Sequence, residues 1–470
     1  MERPSYLKEL YDSCMWIEEQ HLQRAAEIQA ERQLSDEELR ALAEEHAPAL
    51  KQTFAKIFTR MGDKRAYYSI PRRIFPVGEE SELVVRCKYR FQRLVGSFKA
   101  IVVPYYNYDC PLFGRYTPWS TVVQAQDGAL RIPFRFERED LYTVNIFYLL
   151  DGEELPFLSA DVYALEEDLY ACNYYKADLH MHTTWSDGYE PPELVVASAR
   201  ERGMDVIAVT DHNGFSGSVA ARERAEEMGA ELTVILGEEY SLEYSPMHIL
   251  ALGTERPIDR KYLTRQALDL PETQALLRAG GGGARNAEMV ACIQTLLDQV
   301  TKMGGVSILA HPYWKPIMRD GSRIDTPEEV FIELGKDRRF AGIEVVSGSP
   351  ESEFGVSQLQ ASLARTILGS FTGVPIIGIT DAHCYTTDKI AGKHFTVLFA
   401  RSRERESVLD ALRKGRTVAV EMLGGEPLCF GEHRLVKLAK FLVKEYFPDR
   451  DEAARREALA MKEEHLLRRD

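Results

Sequence analysis

Six of the eleven histidines in the chain sit in short polar clusters that also carry acids. His180-Met181-His182 is an HxH pair, followed by Asp187 in the turn Ser186-Asp187-Gly188. Thr210-Asp211-His212-Asn213, Gly237-Glu238-Glu239, Met247-His248, Ala310-His311-Pro312 and Asp381-Ala382-His383 come later, in that order. Neutral imidazole and ionised carboxylate are natural ligands of divalent metal ions. So many rings cannot all be protonated at close range, and neutral rings packed without a cation leave nitrogens unpaired. At a strand end, residues i and i+2 share a side, so both rings of an HxH face one ion. The pattern predicts a multinuclear metal site.

The elements that must hold these clusters begin near residue 174. Strand-like apolar runs at Ala177–His180, Val206–Val209, Leu232–Leu236, His248–Leu252, Val306–Ala310, Gly342–Val346 and Ile376–Ile379 alternate with helical stretches such as Glu193–Arg202 and Ala287–Lys302. Such alternation predicts a parallel sheet with crossover helices, open or closed into a barrel, and sites on that architecture lie at the carboxyl ends of the strands. All the clusters fall at strand ends except His248, which begins its strand. The glycine run 280–283 reads as a loop.

Earlier in the chain the period differs. Residues 1–64 read as helical, with a capping-box pattern at Ser35-Asp36-Glu37-Glu38. Residues 65–172 alternate with period two, as in Val85, Cys87, Tyr89 and Phe91 and again in Tyr142, Val144, Ile146, Tyr148 and Leu150, which predicts a small antiparallel β-sandwich. Its aromatics Tyr105, Tyr106, Tyr108, Phe113 and Trp119 read as core. The sandwich would serve as a specificity module or a dimerisation surface, and a homo-oligomer is consistent with it. Residues 429–470 read as C-terminal helices, in which Leu435, Leu438, Ala439 and Leu442 keep helical spacing.

At roughly 150 residues per domain, a chain of 470 residues suggests about three domains. Its 58 basic and 73 acidic side chains give a net charge of −15, which disfavours docking on long nucleic acid but allows a local basic pocket for one phosphate. No apolar run reaches the roughly 18 residues that a membrane span requires, and the first twenty residues are charged throughout. Seven cysteines without CxxC spacing indicate neither a disulfide framework nor a thiolate zinc site. A cytoplasmic, soluble protein that does not bind membranes is expected.

The motifs LHMHTTWSDG, VIAVTDHN, GEEYS, MHILALG, LAHP and TDAHC, in this order, resemble the PHP (polymerase and histidinol phosphatase) superfamily of metal-dependent phosphoesterases over residues 174–425. The stretch from Ile379 to Glu421 is similar to the branch that includes carbamate-ester hydrolase-like members. The resemblance implies an α/β fold, a (β/α)7 PHP barrel over 173–428. It also implies two to three divalent ions, Mn, Fe or Zn. One would be held by His180, His182, Glu239 and Asp381. A second, bridged by Glu239, would take His248 and His311, and a third Asp187, His212 and His383. Glu239 follows the family's Gly-x-Glu pattern, and Glu238 is the alternative register. Catalysis would rest on Glu239, Asp381 and His383. A metal-bound hydroxide would attack a small phosphorylated compound or short nucleotide. A carbamate or carboxyl-ester hydrolase on the same centre is the alternative, and a non-catalytic metal-binding scaffold is another. Lys315 and Trp185 are candidate substrate contacts. Tyr313 and Trp314 stand where some relatives carry glycine and arginine, so the mouth is expected to be aromatic. Asp211 is expected to orient a ligand or cap a helix, and Cys384 to be buried filler. Lys393 and His394 are candidates for a supporting role, and Glu344 faces either the site or a helix.

Overall fold

The computed structural model describes residues 67–466 except 89–93, 106–117, 151, 242–246, 270, 272–273, 276–281, 313, 315–319, 323–325, 348–351, 354–355 and 358–372. The helical expectation for residues 1–64 lies outside the described residues, as do Tyr89, Phe91, Tyr106, Tyr108 and Phe113. The chain divides into two compact units, Met1–Tyr170 and Ala171–Asp470.

In the first unit the strands are β1 (Tyr68–Ser69), β2 (Ile74–Pro76), β3 (Glu80–Cys87), β4 (Ser97–Pro104), β5 (Trp119–Gln124), β6 (Ala129–Arg135), β7 (Asp140–Leu150) and β8 (Glu153–Leu165). They form two sheets, ordered β1-β3-β6 and β2-β8-β7-β4-β5. In β7, Tyr142, Val144, Ile146 and Tyr148 are buried and the residues between them are not, as expected of a strand with one apolar face. Leu83 and Val85 from one sheet and Phe98, Val144 and Ile146 from the other enter a common core. Two of the aromatics read as core lie at its margin instead. Tyr105 follows the end of β4 and is 64% exposed, while Trp119 opens the edge strand β5 and is 37% exposed. Beyond a strand's end and on a sheet edge, a ring has neighbours on one side only.

The second unit contains β9 (Asn173–Asp178), β10 (Val206–Ile207), β11 (Thr233–Val234), β12 (Gly237–Ser241), β13 (His248–Leu252), β14 (Val306–Ala310), β15 (Phe340–Val346), the short pair β16 (Ser352–Glu353) and β17 (Val356–Ser357), β18 (Ile376–Gly378), β19 (His394–Ala400), β20 (Thr417–Glu421) and β21 (Leu428–Gly431). Its two large sheets are ordered β11-β10-β9-β19-β20-β21 and β12-β13-β14-β15-β18. Leu179, Val206, Leu250, Ile308 and Ile377 bring side chains from both sheets into one core. Ile249, Leu309 and Ile343 face the other way, onto the helices Gly282–Lys302 and Glu328–Leu334. Isolated bridges pair Met181 with Ala382 and His212 with Glu239, joining the two sheets at the end that carries the polar clusters.

Three features depart from the sequence reading. The sheets are mixed rather than parallel, because β13 runs antiparallel to both β12 and β14. The β12–β13 connection is far shorter than the dozen or so residues a parallel crossover needs. The reversal also explains His248: the start of an antiparallel strand lies beside the ends of its neighbours, and His248 pairs with Ser241 and Ala310. The second departure is β19–β21, absent from the seven runs, with β19 inserted antiparallel between β9 and β20. Third, the helix Gly282–Lys302 begins inside the glycine run read as a loop. No helix among the described residues is long and apolar enough to cross a membrane.

At the amino end of β9, ion pairs fasten the C-terminal helix Phe447–Met461 to the sheet. Buried Lys176 lies 3.0 Å from Asp451, and buried Arg200 reaches Glu457 at 2.8 Å and Asp205 at 3.3 Å. Removing Glu457 would leave Arg200 half-paired. Glu457→Ala is therefore expected to lower stability by about 1–2 kcal/mol, visible as a depressed melting temperature. Glu452→Ala, which removes only an exposed i,i+4 partner of Arg456, should leave the melt within error. Equal melts for the two variants would remove these ion pairs from the account of how the helix is held.

Candidate metal centre

The candidate residues reach one place from many elements. His180 and His182 extend past β9, His212 past β10, Glu239 sits within β12, and His248 opens β13. His311 follows β14, and Asp381 and His383 follow β18. Local backbone features aim them. Asp381 has φ of 55°, a left-handed conformation that aspartate tolerates better than most residues. Its N–H donates to the His180 carbonyl (3.0 Å), and the His182 N–H to the Ala382 carbonyl (2.9 Å). Asp211 acts on the Asp187 turn rather than as a helix cap. It accepts from the Thr183 N–H and hydroxyl (both 2.8 Å) and from the Ser186 hydroxyl (2.7 Å). Gly188 is required there, since a Cβ would fall 2.6 Å from the His182 carbonyl.

Four overlapping groups of donor atoms result: His182, Asp187, His212 and His383; His180, Glu239 and His311; His180, His182 and Asp381; and His212, Glu239 and His248. Within each, the donor atoms lie within 4.8 Å of one another. His180, His182 and Glu239 are fully buried, whereas the side chains of Asp187, His212 and His383 are 53%, 27% and 35% exposed and form the open side.

The donor directions fit cations. Glu239 Oε2 lies 3.3 Å from Nε2 of both His180 and His182 and 2.9 Å from His212 Nδ1, yet none of these is directed as a hydrogen bond. The two Nε2 atoms are themselves 3.2 Å apart. His383 Nδ1 donates to the Asp381 carbonyl at 3.0 Å, so the neutral ring turns a lone pair towards Asp187 Oδ2, 3.3 Å away. Acceptors facing acceptors at such distances require a proton or a metal ion between them.

The family comparison matches residues 178–357 to the PHP domain. Residues 178–357 form a PHP domain. The chain is 38% identical over 107 residues to the 5'-3' exoribonuclease Rnm of Salmonella typhimurium, covering 22% of this chain and 36% of that protein. It is 42% identical over 82 residues to the phosphoribosyl 1,2-cyclic phosphate 1,2-diphosphodiesterase of Eggerthella lenta, covering 17% and 30%. The chain thus spans about a third of the length of these curated relatives. A two-domain Bacteroides vulgatus protein, described as containing a predicted PHP-like metal-dependent phosphoesterase, is similar in structure. Its identity is 20% and its TM-score 0.40, with 58% of this chain and 71% of that one covered.

Other candidates of the PHP domain and its flanks are placed as follows. Glu238 turns away from the cluster and accepts from the Ile258 N–H (2.7 Å). Trp185 is 58% exposed on the turn before Asp187, while the Trp314 ring packs 5.5 Å from His248 and 5.3 Å from His311. Lys315 and Tyr313 lie outside the described residues. Cys384, read as buried filler, is half-buried, with Sγ 3.0 Å from the Thr387 hydroxyl. His394 is buried without a hydrogen-bond partner for either ring nitrogen among the described residues. Burial, with Lys393 adding to it, pushes His394 down to about 4. Glu344, left unassigned from sequence, is fully buried beside His180. A lone acid in an apolar strand was the available signal.

Charge in the cluster is strongly coupled. Burial alone would lower His180, but Glu344, Asp381 and Glu239 hold it well above its ordinary value. Burial likewise opposes His212, yet Asp187 and Glu239 raise it to about 10. His182 and His311 are raised in the same way, against burial, by the surrounding carboxylates. Without metal, ring protons, that of His212 at pH 7 among them, do part of the neutralising. Metal binding must displace them, because a ligating imidazole nitrogen carries none. Affinity should therefore rise with pH as these rings lose protons. Calorimetry at pH 7 in buffers of different ionisation heat should show net proton release; a heat independent of buffer would contradict the cluster's protonation. Glu239→Gln should weaken metal binding by at least the roughly 100-fold seen for supporting residues, and Glu238→Gln should leave it unchanged. The reverse ranking would show that Glu238 is the ligand.

Proposed function

We propose that this protein is a metal-dependent phosphoesterase acting on a small phosphorylated compound or short nucleotide. The carrying observation is the convergence of six histidines with Asp187, Glu239 and Asp381 at one end of two joined sheets. The PHP domain and the phosphoesterase relatives support a hydrolase. The nine side chains would divide as the resemblance implies. His180, His182, Glu239 and Asp381 would hold one ion, His248 and His311 a second shared through Glu239, and Asp187, His212 and His383 a third. Two to three divalent ions, Mn, Fe or Zn, would supply a cationic clamp for phosphate oxygens and a water acidic enough to attack near neutral pH.

The chain's own residues account for the rest. Three carboxylates against three divalent ions would leave about three positive charges, a local focus that attracts an anion despite the net −15. Substrate would approach over Asp187, His212 and His383, since these are the exposed members. Asp381, held by its left-handed backbone, and His383, whose tautomer the Asp381 carbonyl fixes, would border the reacting phosphorus. Trp185 would wall the mouth. The two sheets are read as parts of one (β/α)7 barrel running β9, β10, β11–β12, β13, β14, β15 and β18, closed by the Met181–Ala382 bridge, with β19–β21 as an extension. A β-sandwich-like domain over 65–172 would precede it, and C-terminal helices would follow it from His433, since β21 takes up the first residues after 428.

One observation favours a second reading. Trp314 packs its indole against His248 and His311 in tilted and edge-on contacts, and an apolar wall suits a neutral carbamate or carboxyl ester. A panel of phosphomonoesters, phosphodiesters and aryl carbamates, run with each metal, separates the two. Phosphoesters are expected to turn over faster, chelation to abolish the reaction, and His182→Ala to mimic chelation. A single turnover in oxygen-18 water should place the heavy oxygen directly in product. Preference for carbamates would transfer the assignment to the second reading, and a trapped phosphorylated side chain would contradict direct attack by water.

A further inference from the structure

Glu344 belongs to none of the four donor groups, yet it is a carboxylate with no exposure to water at all. It lies on β15, where Ile343 and Val345 pack into the outer apolar layer against the helices. Burial on that scale requires partners, and Glu344 has two. Oε1 is 2.8 Å from His180 Nδ1, and Oε2 accepts from the His311 backbone N–H at 2.7 Å. One carboxylate thus touches both histidines of the group His180, Glu239 and His311, whose two rings stack 5.6 Å apart.

We infer that Glu344 is a positioning residue that fixes His180 as the Nδ1–H tautomer, so that its Nε2 lone pair faces Glu239, and that holds the His311 backbone where the ring's Nε2 lies beside Glu239. The inference rests on the proposed metal centre. The chemistry is directional. A carboxylate can only accept, so the proton between it and a neutral His180 sits on Nδ1, which leaves Nε2 unprotonated beside Glu239 and Asp381. Glutamine in the same place fails in either orientation. If its NH2 faces His180, the ring must accept at Nδ1 and carry its proton on Nε2, where a metal would bind. If its oxygen faces His180, the NH2 meets the His311 N–H, donor against donor.

The test compares zinc and manganese binding by the wild-type chain, E344Q and D187N, using elemental analysis across buffered free-metal concentrations. E344Q should weaken binding through His180 and His311 by about 10–100-fold while retaining the ion held by Asp187, His212 and His383. D187N should show the opposite selectivity. If E344Q binds metal as the wild type does, the inference is overturned and the metal centre stands. If the wild type itself takes up no metal, both fall. Should E344Q fail to fold, nitrogen-15 histidine spectra of the wild-type zinc form still decide. A proton on His180 Nδ1 supports the role, and a proton on Nε2 overturns it.

Discussion

A carboxylate sealed from water is the constraint around which the PHP domain is arranged. Glu239 has no exposed surface and lies within 3.3 Å of nitrogens from His180, His182, His212, His248 and His311. An ionised carboxylate in such a place is tolerable only beside positive charge. Protons on the rings can supply it, and burial opposes them at His180, His182, His212 and His311. Divalent cations supply it without requiring any ring to be charged. The same requirement extends outward to Asp381 and Glu344, each of which faces one or more of these rings.

Holding that arrangement explains several otherwise unrelated features of the fold. β13 is reversed, so His248 enters the cluster from the start of a strand instead of its end. The bridges Met181–Ala382 and His212–Glu239 tie the sheets where the clustered side chains emerge. Asp211 is spent wholly on the turn that carries Asp187. At the far end of β9, ion pairs fasten the C-terminal helix, so the chemistry and the fastening occupy opposite ends of the same strand.

Much of this was legible in the sequence because the clustered histidines and acids stand out by type and spacing. HxH and DxH at the ends of apolar runs mark residues that meet in the cluster, and the Gly-x-Glu pattern of the resemblance adds Glu239. Strand direction was not legible: His248–Leu252 is an apolar run that reads the same either way, and only the short connection from Ser241 hinted at reversal. β19 was missed as a strand of the sheet because its partner β9 lies more than 200 residues away in sequence, and β20 and β21 join the sheet only through it. Tyr105 and Trp119 were misjudged because alternation reports which face a residue is on, and not whether the sheet ends beside it. Glu344 had no spacing signal, since its partners are a ring nitrogen and a backbone amide from two other strands.

The account stands most directly on whether cations occupy the space between these side chains. Anomalous diffraction from crystals of metal-reconstituted protein, collected on both sides of the metal's absorption edge, would measure this. More than one peak is expected, one of them bonded to Glu239 and at least one to Asp381. A map with no anomalous peak inside the cluster, and with protonated rings bonded directly to Glu239, would contradict the account.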